Sequence, residues 1–391
     1  MTSATRSGVA TAVPASKTTG MTTERRERIE EALFPPIVAI LVAFVCGDIL
    51  ILSFGQSPVV VWRLLLEGTW GNAYGFGQVL YKATTLSFTG LAVAFGYRAG
   101  LFNIGAEGQL AAGGFAAALV GLALPIGFPA ILAILLGCAA AAGAGGVVGA
   151  VPGYLRTRFG AHEVITTIML NFVVLAFLNW IIATHLRVPE TLHTPEIHAG
   201  ALPRIDSFAA AFHGSAANAT ILIVIATAIA VWYYLFRTRG GYELRAVGLQ
   251  PDAAEYGGVS VGRVMFRALT VSGAIAGLGG VNYILGYKHY YEDGFAGGTG
   301  FLGIAIALVG RNNPFGVLLA ALFFATLSQG GLAVNAFVPK QMVDVLQGVV
   351  IIAIAASVPE VRRLLLGARK RPISTEPLAS PAVVEPPAAA V

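Results

Sequence analysis

The feature that most constrains this chain is a series of apolar blocks, most of them close to the 20 residues that a helix needs to span a bilayer. They cover about 36–54, 77–97, 104–124, 129–152, 161–184, 218–236, 267–286, 299–310, 314–335 and 341–359. Hydrophobic residues make up 56% of the chain and charged residues 12%, a composition that excludes an ordinary soluble domain. We therefore predict an all-α, polytopic membrane bundle with about ten transmembrane segments.

Two of these blocks need not cross the membrane as single helices. The eighth, 299–310, is too short to cross alone, and the third is interrupted by Glu107 and Gln109. Either block could be a broken or re-entrant helix packed against protein. The number ten therefore depends on how these two blocks are built.

The positions of lysine and arginine predict the orientation, because these residues accumulate on the cytoplasmic side of a bacterial inner membrane. With the N-terminus inside, nineteen of the 25 fall on the cytoplasmic side. The remaining six fall outside: Arg63, Lys82, Arg187, Arg204, Lys288 and Lys340. We therefore expect both termini in the cytoplasm, and we interpret the net charge of +5 as a topology signal and not as a nucleic-acid signal.

Three regions follow from this topology. Residues 1–35 are predicted to be a cytoplasmic disordered tail that ends in the charged collar "ERRERIEE", and residues 361–391 a second such tail. Residues 36–360 form the transmembrane domain. No signal peptide with a small-residue cleavage site precedes the first span, so we expect that span to remain in the protein. Glycines inside the fourth and seventh spans favour close helix packing, with helix flexing as the alternative.

Two soluble segments stand out. The external loop, about 185–217, carries four histidines, but their spacing matches no compact metal motif, and we predict a solvated loop without a metal site. The cytoplasmic segment, about 237–263, contains "PDAAEYGG", which predicts a short helix that Pro251 and Asp252 open and Gly257 ends. Such a helix suits docking to a cytoplasmic partner; the alternative is an amphipathic turn on the lipid headgroups.

The motifs of common enzymes are absent from the sequence. It contains no GxxxxGK[ST] phosphate loop, no HExxH and no GxSxG. Cys46 and Cys138 lie in apolar spans, where a small buried thiol is expected instead of a disulfide. We therefore predict a protein that is not an enzyme, with no catalytic residue, no cofactor and no metal.

Polar side chains inside the apolar blocks indicate a path for a solute, because such groups face a bundle interior or a watery cavity. Asn103 and Glu107 share one helical face and Gln109 lies on the opposite side, while Gly100, Gly105 and Gly108 permit a helix break. The further members of this set are Thr167, Asn171, Asn282 and Gln329. Their uncharged amides and hydroxyl favour a polar neutral solute over an ion, although amides that only join helices remain the alternative.

Three stretches in order, "YRAGLFNIGAEGQ", "HEVITTIMLN" and "LRAVGLQPDAAEYGGVSVGR", resemble the permease subunits of bacterial ABC importers. The group is the one shared by branched-chain amino acid, ribose and nucleoside systems, and the likeness is to the nucleoside (simple sugar) branch, over residues 36–360. The resemblance implies one half of a pore in the inner membrane, ATP hydrolysis in separate ATPase subunits, a second related permease as the other half, and an extracytoplasmic binding protein or lipoprotein.

Carried onto this chain, the resemblance implies a coupling helix at Pro251–Gly257, with Asp252, Glu255 and Tyr256 as contacts of the ATPase. Asn103, Glu107, Gln109 and Asn171 would line or brace the pathway. Import of nucleosides is the function that it implies. The alternatives are a permease for ribose or another simple sugar, and an ion-coupled secondary transporter, although only Asp48 and Glu107 offer carboxylates for ion coupling. A passive channel and an intramembrane enzyme are further alternatives.

Overall fold

This computed structural model describes residues 41, 42 and 44–367, with side chains as far as residue 353. The described chain is helical and contains no strand. In chain order its helices are α1 Phe44–Ser53, α2 Pro58–Thr69, α3 Ala73–Arg98, α4 Ala106–Ala123, α5 Ala130–Phe159, α6 Glu163–Ile181, α7 Thr220–Arg237, α8 Arg239–Leu249, α9 Pro251–Tyr256, α10 Val261–Tyr283, α11 Thr299–Val309, α12 Pro314–Ala333 and α13 Lys340–Gly367. Single π-helical turns, Ile182–Leu186 and Ile284–Lys288, extend α6 and α10.

Seven of the described helices are long and apolar enough to cross a membrane: α3, α4, α5, α6, α7, α10 and α12. The pair α1 and α2 is bent by 112° and could count as an eighth span. The all-helical prediction is thus confirmed, but the count of ten is not. The block at 299–310 forms α11, which has 11 residues, and the first and last blocks extend beyond the described side chains.

The expected positions of the termini lie outside the described residues. Residues 1–35 and 368–391 are outside the described part of the chain, so the tails at 1–35 and 361–391 stay predictions. The backbone of α13 remains helical to Gly367, beyond the predicted end of the last span at 359.

At the crossing of α5 and α10 the two backbones touch. A Cβ atom on Gly277 would lie 2.3 Å from the carbonyl oxygen of Ala141, and one on Gly149 would lie 2.3 Å from that of Leu269. No side chain fits at these positions, since such a contact is far inside van der Waals range. The predicted close packing of the glycine-rich spans is therefore present, and it places α10 in the middle of the bundle.

The helix α3 runs between two distinct ends of the bundle. At its start, Gly77 packs against Ser215 of the long loop at 187–219. Just after its C-terminus, Gly100 lies 3.3 Å, measured from an ideal Cβ, from the Cα of Gly248 on α8. We refer to these as the loop end and the α8 end.

The long loop contacts the bundle through part of its residues, and many of its other residues are exposed. His193 stacks on Tyr290 with ring centroids 4.4 Å apart, and Arg204 Nη2 donates to the carbonyl oxygen of Tyr287 at 2.7 Å. The described residues hold no group of three or more histidine, cysteine or acidic side chains that could bind a metal ion. The loop thus forms a fixed surface at the loop end.

Candidate functional site

A break between α3 and α4 is the first element of the candidate site. After α3 ends at Arg98, residues 101–104 form no regular secondary structure and α4 starts at Ala106. Gly100 has φ +73°, in the left-handed region, which permits the reversal beside Gly248. The break predicted within the third apolar block therefore lies before it, and Glu107 and Gln109 sit in the first turns of an uninterrupted helix.

The side chain of Asn103 holds this break in place from within the core. Its Nδ2 donates to Gln109 Oε1 and to Ser272 Oγ, both at 2.8 Å. Its Oδ1 accepts from the backbone N–H of Gly105 at 2.9 Å and from Gln109 Nε2 at 3.2 Å. Asn103 and Gln109 are fully buried, so their amides satisfy each other without water.

Two residues of α6 fasten the other side of the break. Asn171 accepts from the N–H of Gly108 and donates to the carbonyl oxygen of Ile104, both at 2.9 Å. Thr167 Oγ1 accepts from the N–H of Ile104 at 3.3 Å. Both side chains are buried, and both form hydrogen bonds with backbone groups that have no helical partner at the break.

Glu107 joins the start of α4 to the start of α11. One carboxylate oxygen accepts from the N–H of Gly298 at 2.7 Å, and the other from the N–H of Gly300 at 2.6 Å. These are free N–H groups at a helix N-terminus, where a negative charge is stabilised. The glutamate is 5% exposed, and among the described residues no cation lies within 4 Å of it.

Asn282 and Gln329 occupy different environments. Asn282 is buried; its Nδ2 donates to the carbonyl oxygen of Tyr81 at 2.9 Å and to Thr85 Oγ1 at 2.8 Å, and its Oδ1 accepts from Asn218 at 3.0 Å. Gln329 on α12 is only half-buried. The two therefore do not form one site with Asn103.

A cavity of about 630 Å³ lies between α3, α10, α12, α13 and the segment before α11. Its wall carries three aromatic side chains, Tyr81, Tyr283 and Phe295. Its polar lining consists of Lys82, Thr85, Thr299, Ser328, Lys340, Asp344 and Gln347. The volume is in the range of sites for small organic ligands, and the lining mixes apolar surface with convergent donors and acceptors.

Within the described part of the chain, the charged groups in this wall lack close partners of opposite sign. Lys82 Nζ lies 3.4 Å from Ser328 Oγ, and no carboxylate of the described residues lies within 4.0 Å of Lys82 or Lys340. Asp344 faces the same cavity. Sequence reasoning missed all three residues, although a lysine within an apolar block such as 77–97 is itself a signal of a functional site.

The residues predicted to form the pathway do not line this cavity. None of Asn103, Gln109, Thr167, Asn171 and Gln329 belongs to its wall. Glu107 and Asn282 contact the wall from behind: Glu107 accepts from the N–H of Gly298, and Asn282 donates to Thr85 Oγ1. The alternative of amides that join helices fits this geometry better than direct contact with a solute.

The predicted short helix at the α8 end is present as α9. Asp252, Glu255 and Tyr256 are exposed, Tyr256 at 95%, while Ala254 is buried against the bundle. Gly257 ends the helix, and the left-handed turn that follows is made by Gly258 with φ +82°. The sequence did not predict that α8, directly before α9, is also helical.

Comparison with known proteins gives this geometry a family. Residues 75–355 match the family described as branched-chain amino acid transport system, permease component. The guanosine ABC transporter permease protein NupP of Bacillus subtilis is 37% identical over 328 residues, which cover 83% of this chain and 93% of that protein.

Two further relatives match over similar lengths. The nucleoside ABC transporter permease protein NupB of Lactococcus lactis is 36% identical, over 82% of this chain and 90% of that protein. The glucose ABC transporter permease protein TsgB13 of Haloferax volcanii is 32% identical, over 82% of this chain and 87% of that protein. With its seven or eight apolar spans, this chain therefore belongs to the family of branched-chain amino acid transport system permease components, as a multi-pass transport subunit and not as an enzyme.

Proposed function

We propose that this chain forms half of the pore of an ATP-driven importer and that its solute is a nucleoside. The observation that carries the proposal is the cavity, in which Tyr81, Tyr283 and Phe295 stand beside hydrogen-bonding groups of both kinds. Two relatives that match over most of the chain are named for guanosine and for nucleosides.

The chemistry of a nucleoside fits this wall. A base has two aromatic faces, and stacking on an aromatic side chain contributes roughly 1–3 kcal/mol per base in other proteins. Ribose hydroxyls both donate and accept, so they can use Thr85, Gln347 and Asp344. A branched-chain amino acid offers no aromatic face, and this wall would favour it less.

Coupling to ATP is assigned to the α8 end. The exposed residues Asp252, Glu255 and Tyr256 of α9 are proposed to dock into a groove of a cytoplasmic ATPase subunit. Because Gly100 and Gly248 touch, a displacement of α8 would move the break between α3 and α4 directly. ATP binding then shifts the pore between its two states through its differential affinity for them.

The remaining partners follow from the same arrangement. The loop end is proposed to face outward and to receive a binding protein or lipoprotein, with both termini in the cytoplasm of a bacterium and the bundle in its inner membrane. A second, related permease is proposed to complete the pore as a heterodimer.

A sugar is the second candidate for the solute. One relative is named for glucose, and the hydrogen-bonding groups of the cavity also suit sugar hydroxyls. A sugar would use the aromatic rings only through its C–H faces, so the two candidates differ in how strongly uptake depends on Tyr283 and Phe295.

The test is uptake of radiolabelled nucleosides by cells that express this permease with its partners, with ribose, glucose and leucine for comparison. We expect nucleoside uptake that disappears when the ATPase is omitted. Uptake of glucose or ribose alone would support the second candidate. Uptake that persists without the ATPase and collapses with the ion gradient would refute an ATP-driven importer and support a secondary transporter.

A further inference from the structure

The connection made by Glu107 has no role in the transport scheme above. Its two carboxylate oxygens bind the N–H groups of Gly298 and Gly300, one on each side of the first residue of α11. Gly297, Gly298 and Thr299 form part of the cavity wall. The carboxylate therefore holds a piece of the cavity wall from behind, without lining the cavity itself.

The backbones behind this contact are equally close. A Cβ atom on Gly300 would lie 2.2 Å from the backbone nitrogen of Glu107. In addition, Thr89 Oγ1 on α3 donates to the carbonyl oxygen of Thr299 at 3.2 Å. The start of α11 is thus seated on α4, and the strongest polar contact that keeps it there is a charge-assisted pair of hydrogen bonds.

The segment before α11 needs such an anchor. Gly294, Gly297 and Gly298 all have positive φ, so side chains that would restrict this backbone are missing from the turn. The helix α11 is also short, with 11 residues, and a short helix in a bundle depends on tertiary contacts for its position. Without Glu107, its first N–H groups would lose these buried acceptors.

At its other side Glu107 is tied to the α8 end. It lies in the first turn of α4, four residues after Asn103, whose loop contacts α8 through Gly100 and Gly248. One chain of contacts from α8 to the cavity wall therefore passes through this carboxylate, beside the direct packing of α8 on α3 and α10.

We infer that Glu107 is a positioning residue that sets the conformation of Gly297–Thr299 in the cavity wall, and that it couples this wall to movement of the break between α3 and α4. The effect on transport rests on the proposed function of the cavity, whereas the effect on the wall does not. A solute does not touch the glutamate; it responds to the wall that the glutamate holds.

The first experiment measures the wall directly. In a chain whose Cys46 and Cys138 are replaced by serine, a cysteine is introduced by Thr299→Cys or, on the opposite wall, by Ser328→Cys. Its reaction rate with a membrane-permeant thiol reagent is measured in the assembled importer in membranes. Glu107→Gln, which can accept from one N–H but opposes the other with its own NH₂, should change the rate at position 299 by about tenfold, as loss of one such bond to a charged group can do.

Two comparisons make this result specific. Ser328→Cys should react at the same rate with and without Glu107→Gln. Glu163→Gln is the matched control, because Glu163 is also a buried glutamate in the first turn of a helix, but its carboxylate lies near Arg156 instead of the cavity. It should leave the rate at position 299 unchanged.

The second experiment measures transport. Glu107→Gln should raise the solute concentration for half-maximal uptake and abolish the solute-dependent increase in ATP hydrolysis, while the ATPase still co-purifies with the permease. Glu107→Asp, which keeps the charge on a shorter arm, should recover part of both. A general folding defect would instead lower the amount of assembled importer. Glu107→Asp would then not specifically recover solute affinity and the stimulation of ATP hydrolysis.

The outcomes separate the two proposals. Unchanged labelling at position 299 in Glu107→Gln, or an equal change at positions 299 and 328, would overturn the inference. A clear change at position 299 alone, in a protein that takes up no nucleoside even without substitution, would support the inference about the wall and refute the proposed solute.

Discussion

The amide of Asn103 should be among the most costly single side chains to remove from this protein. Asn103→Leu removes a partner from four buried groups: the N–H of Gly105, both polar atoms of Gln109 and Ser272 Oγ, which keeps its bond to the carbonyl oxygen of Ala92. Side-chain hydrogen bonds in a membrane protein contribute about 0.6 kcal/mol each on average, whereas a buried group left without a partner costs about 1–3 kcal/mol. We therefore expect a loss of roughly 2–4 kcal/mol, since Gln109 can recover one contact by turning.

The measurement is the free energy of unfolding in mixed micelles with increasing SDS, for Asn103→Leu, Gln109→Leu and the double variant. The double variant should lose about 1 kcal/mol less than the sum of the two single variants, because removing both partners leaves fewer groups unpaired. Asn179→Leu is the control, an amide on α6 that is half-buried and whose side chain has no hydrogen bond within the described part of the chain. Strict additivity, or a loss in Asn103→Leu no larger than in the control, would refute this account of the break.

Three further perturbations test other parts of the molecule. Gly277→Ala should destabilise the protein by roughly 1–3 kcal/mol in the same unfolding assay, because the added carbon meets a carbonyl oxygen, whereas Gly143→Ala, with open space around it, should not. Burial, reinforced by the nearby Arg204 and opposed by Glu196, lowers the pKa of His289, so the folded state favours the neutral ring. Stability should therefore be complete above about pH 6.5 and should fall as the pH drops below it. His289→Asn, which tolerates the φ of +63° at this position, should flatten that fall in a series of melting temperatures. Glu255→Arg should reduce co-purification of the ATPase without unfolding the permease, while Glu67→Arg, also exposed but on α2, should not; normal co-purification of the first variant would remove α9 from the docking surface.

The fold class could be predicted from composition and block length, because a bilayer fixes both the polarity and the length of a helix that crosses it. The residues at which the helices begin and end were harder to predict from the sequence. The third block starts as a helix only at Ala106, because the side chains of Asn103, Thr167 and Asn171 satisfy the backbone groups before it. Thr167 and Asn171 belong to the facing helix α6. Such long-range partners leave no periodic signal near the break.

The bracing residues were found in the sequence because an amide inside an apolar block is conspicuous. The cavity wall was not found, since it is assembled from α3, α10, α12 and α13, and Asp344 and Gln347 lie on α13 in a block that reads as apolar overall. Lys82 was assigned to the outside by its charge alone. A lysine can mark both the membrane border and a solute site, and only its neighbours in space distinguish the two.

The crossing of α5 and α10 restricts how the pore can change shape. Adjacent helices in transporters usually slide by letting side chains change rotamer at their interface. Between Gly145 and Gly277, and between Gly149 and Gly273, there are no rotamers to change, and each carbonyl oxygen sits in a notch of the opposite backbone. A small translation would drive these oxygens into main-chain atoms, so the two helices are expected to move as one rigid unit. In the proposed importer, a change between two states then requires the other helices to move relative to this pair.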